Sequence, residues 1–113
     1  MTSIAPVNQR GSAPAVRKDG EWPDHVPAGL FSFYAWGDNP RAGILFGCPC
    51  GCGQMMSISI AEGGSGQTWS WNGNEGAPTT TPSILIYQLE EGTGARVGEH
   101  WHGYLTDGEF RSC

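Results

Sequence analysis

Three of the chain's four cysteines fall within five residues, in the run Cys48-Pro49-Cys50-Gly51-Cys52-Gly53, and the fourth is Cys113. Cysteines at i, i+2 rarely meet the Cα separation and Cβ directions that a disulfide requires, whereas thiolates converging on one cation face no such limit. Pro49 and Gly51 favour a tight turn whose amides face the sulfurs, the geometry of a zinc knuckle. Nitrogen donors stand further on, at His100 and His102. The pattern predicts a structural zinc whose ligands come from Cys48, Cys50, Cys52, His102 and Cys113. A tetrahedral site holds four ligands, so one of these residues is left as a spectator or a support. His100 shares a strand face with His102 and is assigned a surface or supporting place rather than ligation. Zinc is favoured over iron because mixed thiolate and imidazole donors suit a tetrahedral zinc.

Catalysis would need more than these donors. A hydrolytic zinc keeps an open coordination position and places a carboxylate to handle the proton of its bound water. Glu99 is the one acidic residue beside the donors. The His-x-Glu and Pro-Cys-x-x-Cys pairing of zinc deaminases is absent, as are a Gly-x-Ser-x-Gly elbow, a phosphate loop and a His-Glu-x-x-His helix. No catalytic residue is assigned on this basis, and the chain reads more as a structural protein than as an enzyme. The glycine clusters Gly63-Gly64-Ser65-Gly66 and Gly92-Thr93-Gly94 read as loose loops.

The elements that must carry these residues are strands. With 18 glycines, eight prolines and only 15% charged residues, the chain is rich in turn formers and poor in helix formers. Short aromatic and β-branched runs predict strands over 30–36, 43–47, 54–60, 68–71, 83–89, 96–105 and 109–112. Met56, Ile58 and Ile60 alternate with Ser57 and Ser59, as in a half-buried strand. Trp36, Trp69, Trp71 and Trp101 fall within these runs and are assigned to core packing. Asp107-Gly108 should close a tight hairpin. The knuckle sits between two strands and His102 opens the last hairpin, so the metal should clasp two hairpins together. Residues 1–27 hold four of the eight prolines and few apolar side chains, which predicts an extended N-terminal arm before a zinc-stapled domain over 28–113. The fold expected is all-β: a small antiparallel β-sandwich or open barrel stapled by a Cys/His metal site.

Charge and hydropathy narrow the partners. Eleven acidic residues against six Lys and Arg give a net charge of −5, which argues against nucleic acid. No apolar stretch is long enough to span a membrane, and the N-terminus lacks a secretory pattern, so a cytosolic origin is expected.

Several segments resemble, in order, a family of small Cys/His metal-binding proteins. They are Cys48 to Gly53, Trp69-Ser70-Trp71, Thr79-Thr80-Thr81-Pro82-Ser83-Ile84, Trp101-His102-Gly103-Tyr104-Leu105-Thr106-Asp107-Gly108 and Cys113. Members occur in tailed phages and prophages, where they are often mislabelled ammonia monooxygenase, and a second branch lies in bacterial gene clusters for ubiquitin-like conjugation. The resemblance spans about residues 30–113. The family tends to carry a cysteine three residues before the histidine, where this chain has Glu99. Glu99 therefore either replaces it as an oxygen ligand or leaves the metal one donor short. The Trp-His-Gly-Tyr-Leu form sits closer to the phage branch.

That resemblance implies a phage-encoded zinc protein. Together with the arm, it supports a virion accessory subunit of the decoration, head or tail kind, made in the host cytoplasm and gripping other virion proteins or its own copies through residues 1–27. Two alternatives stand beside it. One is a zinc-dependent hydrolase or peptidase linked to ubiquitin-like proteins, with Glu99 as general base. The other is an intracellular phage factor that binds a host protein.

Overall fold

In a computed structural model, which describes residues 12–61 and 67–112, the strands expected from alternation and turn chemistry form, and no helix is present among the described residues. They are β1 (Ala13–Pro14), β2 (Val16–Arg17), β3 (Leu30–Trp36), β4 (Asn39–Gly47), β5 (Met55–Ser59), β6 (Ser70–Trp71), β7 (Thr80–Thr81), β8 (Ile84–Leu89), β9 (Arg96–Thr106) and β10 (Glu109–Ser112). One sheet has the order β1-β10-β9-β8, a second has the order β2-β3-β4-β5, and β6 pairs with β7 as a small ribbon.

The inner faces of the two four-stranded sheets share one core. Phe31, Ile44, Phe46, Cys48 and Ile58 come from the β3–β5 side, and Ile84, Trp101, Leu105 and Phe110 from the β8–β10 side. Phe46 stacks on Phe110 between the sheets, with ring centroids 4.9 Å apart, and the Trp101 ring meets Phe110 edge-on at 6.4 Å. Offset and edge contacts of this kind suit the aromatic quadrupole and bury large apolar surfaces. The molecule is thus all-β, with two facing sheets and a Cys/His cluster joining them.

The β9–β10 hairpin closes at Asp107-Gly108, where both residues have positive φ (49° and 73°), as a primed two-residue turn requires. β9 contains Gly103 because a side chain there would strike the Trp101 indole and the Arg111 carbonyl. β9 is therefore a strand whose sequence is set by the ring that packs along it.

The N-terminal segment divides. Residues 1–11 lie outside the described residues. Within 12–27, β1 pairs with β10 and β2 runs parallel to β3, so this stretch adds a short strand to each sheet. Val26 is buried, and its N–H donates to the Gly53 carbonyl at 2.9 Å, next to the cysteine run.

Candidate functional site

The connection between β4 and β5 carries the cysteines. Cys48 N–H donates to the Gln54 carbonyl and Gly51 N–H to the Cys48 carbonyl, closing a turn with Pro49 in its second position and Gly51 in its fourth. Gly51 and Gly53 both take positive φ (86° and 87°), which swings the chain back on either side of Cys52. The amide of Cys50 points to the Cys48 sulfur and that of Cys52 to the Cys50 sulfur. Cys48 Sγ lies 3.3 Å from Cys50 Sγ, and Cys50 Sγ lies 3.1 Å from His100 Nε2. Ligand atoms of Cys48, Cys50, Cys52 and His100 all fall within 4.8 Å of one another.

The chemistry of this cluster fits a metal ion. Burial pushes the Cys48 and Cys50 thiols above their ordinary range, since a thiolate without a counter-charge is costly in such a place. A divalent cation reverses that balance, because it binds the thiolate form. Burial also lowers the pKa of His100 and so favours the neutral imidazole that a metal requires. His100 Nδ1 lies 2.9 Å from Gln88 Oε1. With Nδ1–H donating to that oxygen, the Nε2 lone pair is directed at the sulfurs. Three thiolates and one imidazole are enough donors to fill the four positions that a tetrahedral ion would offer.

His100 reaches the sulfurs because β9 is irregular beside it. Ile86 pairs with Trp101, but the next residue, Tyr87, pairs with Glu99, so His100 is an extra residue in a β-bulge. In a regular strand His100 and Trp101 would face opposite sides; here both are buried, at 6% and 0% exposure. The bulge turns His100 inward between the sheets.

The same bulge shapes the outer face. Residues 99 and 102 would lie on opposite faces of an unbroken strand, yet Glu99 and His102 stand together, with Glu99 Oε1 3.9 Å from His102 Nδ1. On the other side of the ring, His102 Nε2 lies 2.9 Å from Ser83 Oγ. Ser83 immediately precedes β8, held by the Trp69 indole N–H on its carbonyl at 3.2 Å and by the buried side chain of Ile84 next to it. Both His102 and Glu99 are partly exposed, at 33% and 43%. A hydroxyl, an imidazole and a carboxylate therefore follow one another in a row on a solvent-facing surface, the relation by which a serine is activated as a nucleophile.

A model of the family described as bacterial ubiquitination-like system serine protease (BubE) matches residues 18–113. The chain belongs to the BubE family. Comparison with curated proteins gives no match, and neither does comparison with solved structures. The BubE description connects the chain with bacterial ubiquitination-like systems and with proteases; it carries no link to phage particles, and the virion-subunit expectation finds no support in it.

Of the ligands expected from sequence, Cys48, Cys50 and Cys52 come together, and the imidazole that joins them belongs to His100. His102, expected in that position, faces the other side of β9 and engages Ser83. The physical reason is the bulge, which breaks the i, i+2 equivalence of the two histidines. Cys113 lies outside the described residues, as does the Gly63-Gly64-Ser65-Gly66 loop. Glu99 is beside His102 rather than among the sulfurs. Ser83 carried no catalytic assignment because it stands in no Gly-x-Ser-x-Gly elbow. The available signal was the Thr79 to Ile84 segment, a polar run ending in serine directly before an apolar strand.

Proposed function

We propose that the chain is a serine peptidase acting on a ubiquitin-like protein or its conjugates, with Ser83 as nucleophile, His102 as general base and Glu99 as the carboxylate that orients the imidazole. The observation that carries this reading is the 2.9 Å contact between Ser83 Oγ and His102 Nε2, with Glu99 on the far side of the same ring. The Glu99 contact at 3.9 Å is longer than a hydrogen bond, as catalytic contacts often are before substrate binds. The BubE match supplies the independent support.

The chemistry follows from the row of groups. Ser83 Oγ attacks the carbonyl carbon of the scissile bond while its proton passes to His102 Nε2. The resulting imidazolium, facing the Glu99 carboxylate, gives that proton to the departing amine, and the acyl group remains as an ester on Ser83. Water then attacks the ester, His102 taking its proton and returning it to Ser83 Oγ as the acid is released. β8 begins next to Ser83 and is the outermost strand of its sheet among the described residues, so its outer backbone edge offers an extended acyl chain a partner.

A zinc ion at Cys48, Cys50, Cys52 and His100 supplies folding free energy under this reading and takes no part in bond cleavage. A zinc-dependent hydrolase is disfavoured because the four donors close the coordination sphere and Glu99 stands on the opposite face of β9. The test is a ubiquitin-like protein of a bacterial ubiquitination-like system, extended past its C-terminus by a short peptide and followed by intact-mass spectrometry. Cleavage at the junction should fall by about three orders of magnitude or more in Ser83→Ala and His102→Ala. Equal cleavage by Ser83→Ala would refute the assignment.

A further inference from the structure

We infer that the metal cluster positions the catalytic groups as well as stapling the sheets. The link is the β9 bulge, whose extra residue, His100, is turned inward to the cysteine cluster while Glu99 and His102 face outward. This inference rests on the serine-peptidase reading and adds Gln88 and His100 as positioning residues.

The geometry runs in one connected path. His100 has its Nε2 among the sulfurs and its Nδ1 on Gln88, which lies on β8 opposite Gly98. Held at both ring nitrogens, the extra residue cannot slip back into the ladder. If His100 were released and β9 relaxed into regular pairing, the alternation of side chains would carry Glu99 and His102 to opposite faces of the sheet. Ser83 would keep its place, because the Trp69 indole and the core contact of Ile84 hold it independently of the bulge. Loss of the clasp should therefore separate the carboxylate from the imidazole first.

The coupling reads out in a rate that needs no macromolecular substrate, the modification of Ser83 by a fluorophosphonate, alongside metal content and far-ultraviolet circular dichroism. Gln88→Leu removes the acceptor at His100 Nδ1 and leaves all four metal donors in place. With one equivalent of zinc bound, it should lower the labelling rate by about tenfold or more, the scale on which such supporting contacts act. Gln88→Glu keeps an oxygen at that position and should restore most of the rate. Peptide turnover should lose kcat with little change in KM. In a Glu99→Gln background, Gln88→Leu should add almost nothing, since both substitutions break the same relation.

Full labelling of zinc-bound Gln88→Leu would overturn the coupling while leaving the serine-peptidase reading intact. So would a Gln88→Leu effect of undiminished size in the Glu99→Gln background. Failure of the zinc-loaded wild-type protein to label at Ser83 would overturn the serine assignment itself, and the coupling with it.

Discussion

The two faces of β9 contrast in nearly every property. Inward lie His100 and Trp101, at most 6% exposed, with the sulfurs on one side and the aromatic core on the other. Outward lie Glu99 and His102, a third or more exposed, with Ser83 within hydrogen-bond reach. Two histidines two residues apart thus carry different chemistry. The inner one is biased by burial toward the neutral form, and its ring is directed by an amide oxygen toward three sulfurs, an arrangement suited to hold a metal. The outer one stands at the surface between a hydroxyl and a carboxylate. A single inserted residue separates the roles, since without the bulge both rings would face the same way.

The comparison breaks most severely at the inner face. Cys50→Ser should lose the bound ion and most of the stability that goes with it, on the order of 10 kcal/mol by analogy with small zinc domains, seen as loss of the cooperative melt. Chelation should reproduce that loss, whereas Ser83→Ala should retain one ion and a wild-type melting temperature. The pH dependence should also change sign with occupancy. Burial raises the Cys48 and Cys50 thiols above their ordinary value of 9.0, so in the metal-free fold they stay protonated where the unfolded chain has released its protons. Metal-free protein should then lose stability as pH rises through 9.0, whereas metal-bound protein, whose ligands are already deprotonated, should lose it as pH falls. Denaturant titrations of both forms across pH would check these slopes.

Side chains outside both the cysteine cluster and the Ser83 row sharpen the same contrast. Trp101→Ala empties the centre of the core and should cost about 3–5 kcal/mol in chemical denaturation. Tyr104, on the outer side of the same strand and 46% exposed, should give a change within about 0.5 kcal/mol when replaced by Ala.

Much of the fold was legible in the sequence because it rests on local rules. Leu30–Trp36 and Glu109–Ser112 occupy the strands predicted for them, and Asp107-Gly108 forms the turn its residue types favour. The cysteine knuckle was legible for the same reason, since its donors and its turn formers are contiguous. The assignment of the histidines was not. Alternation treats His100 and His102 as equivalent, and the bulge that distinguishes them arises from pairing with β8, a long-range contact that no local pattern announces. Ser83 was hidden for a related reason. Its partner His102 is 19 positions away, brought within reach only by the β8–β9 ladder.

The division of labour between the two histidines can be read in one experiment, native mass spectrometry of fluorophosphonate-treated His100→Ala and His102→Ala beside the wild type, with the adduct mapped to a peptide. The wild type should carry one ion and one adduct, on Ser83. His102→Ala should keep the ion and lose the adduct, while His100→Ala should lose the ion. Release of the ion by His102→Ala with retention by His100→Ala would contradict the account, as would an adduct on any serine other than Ser83.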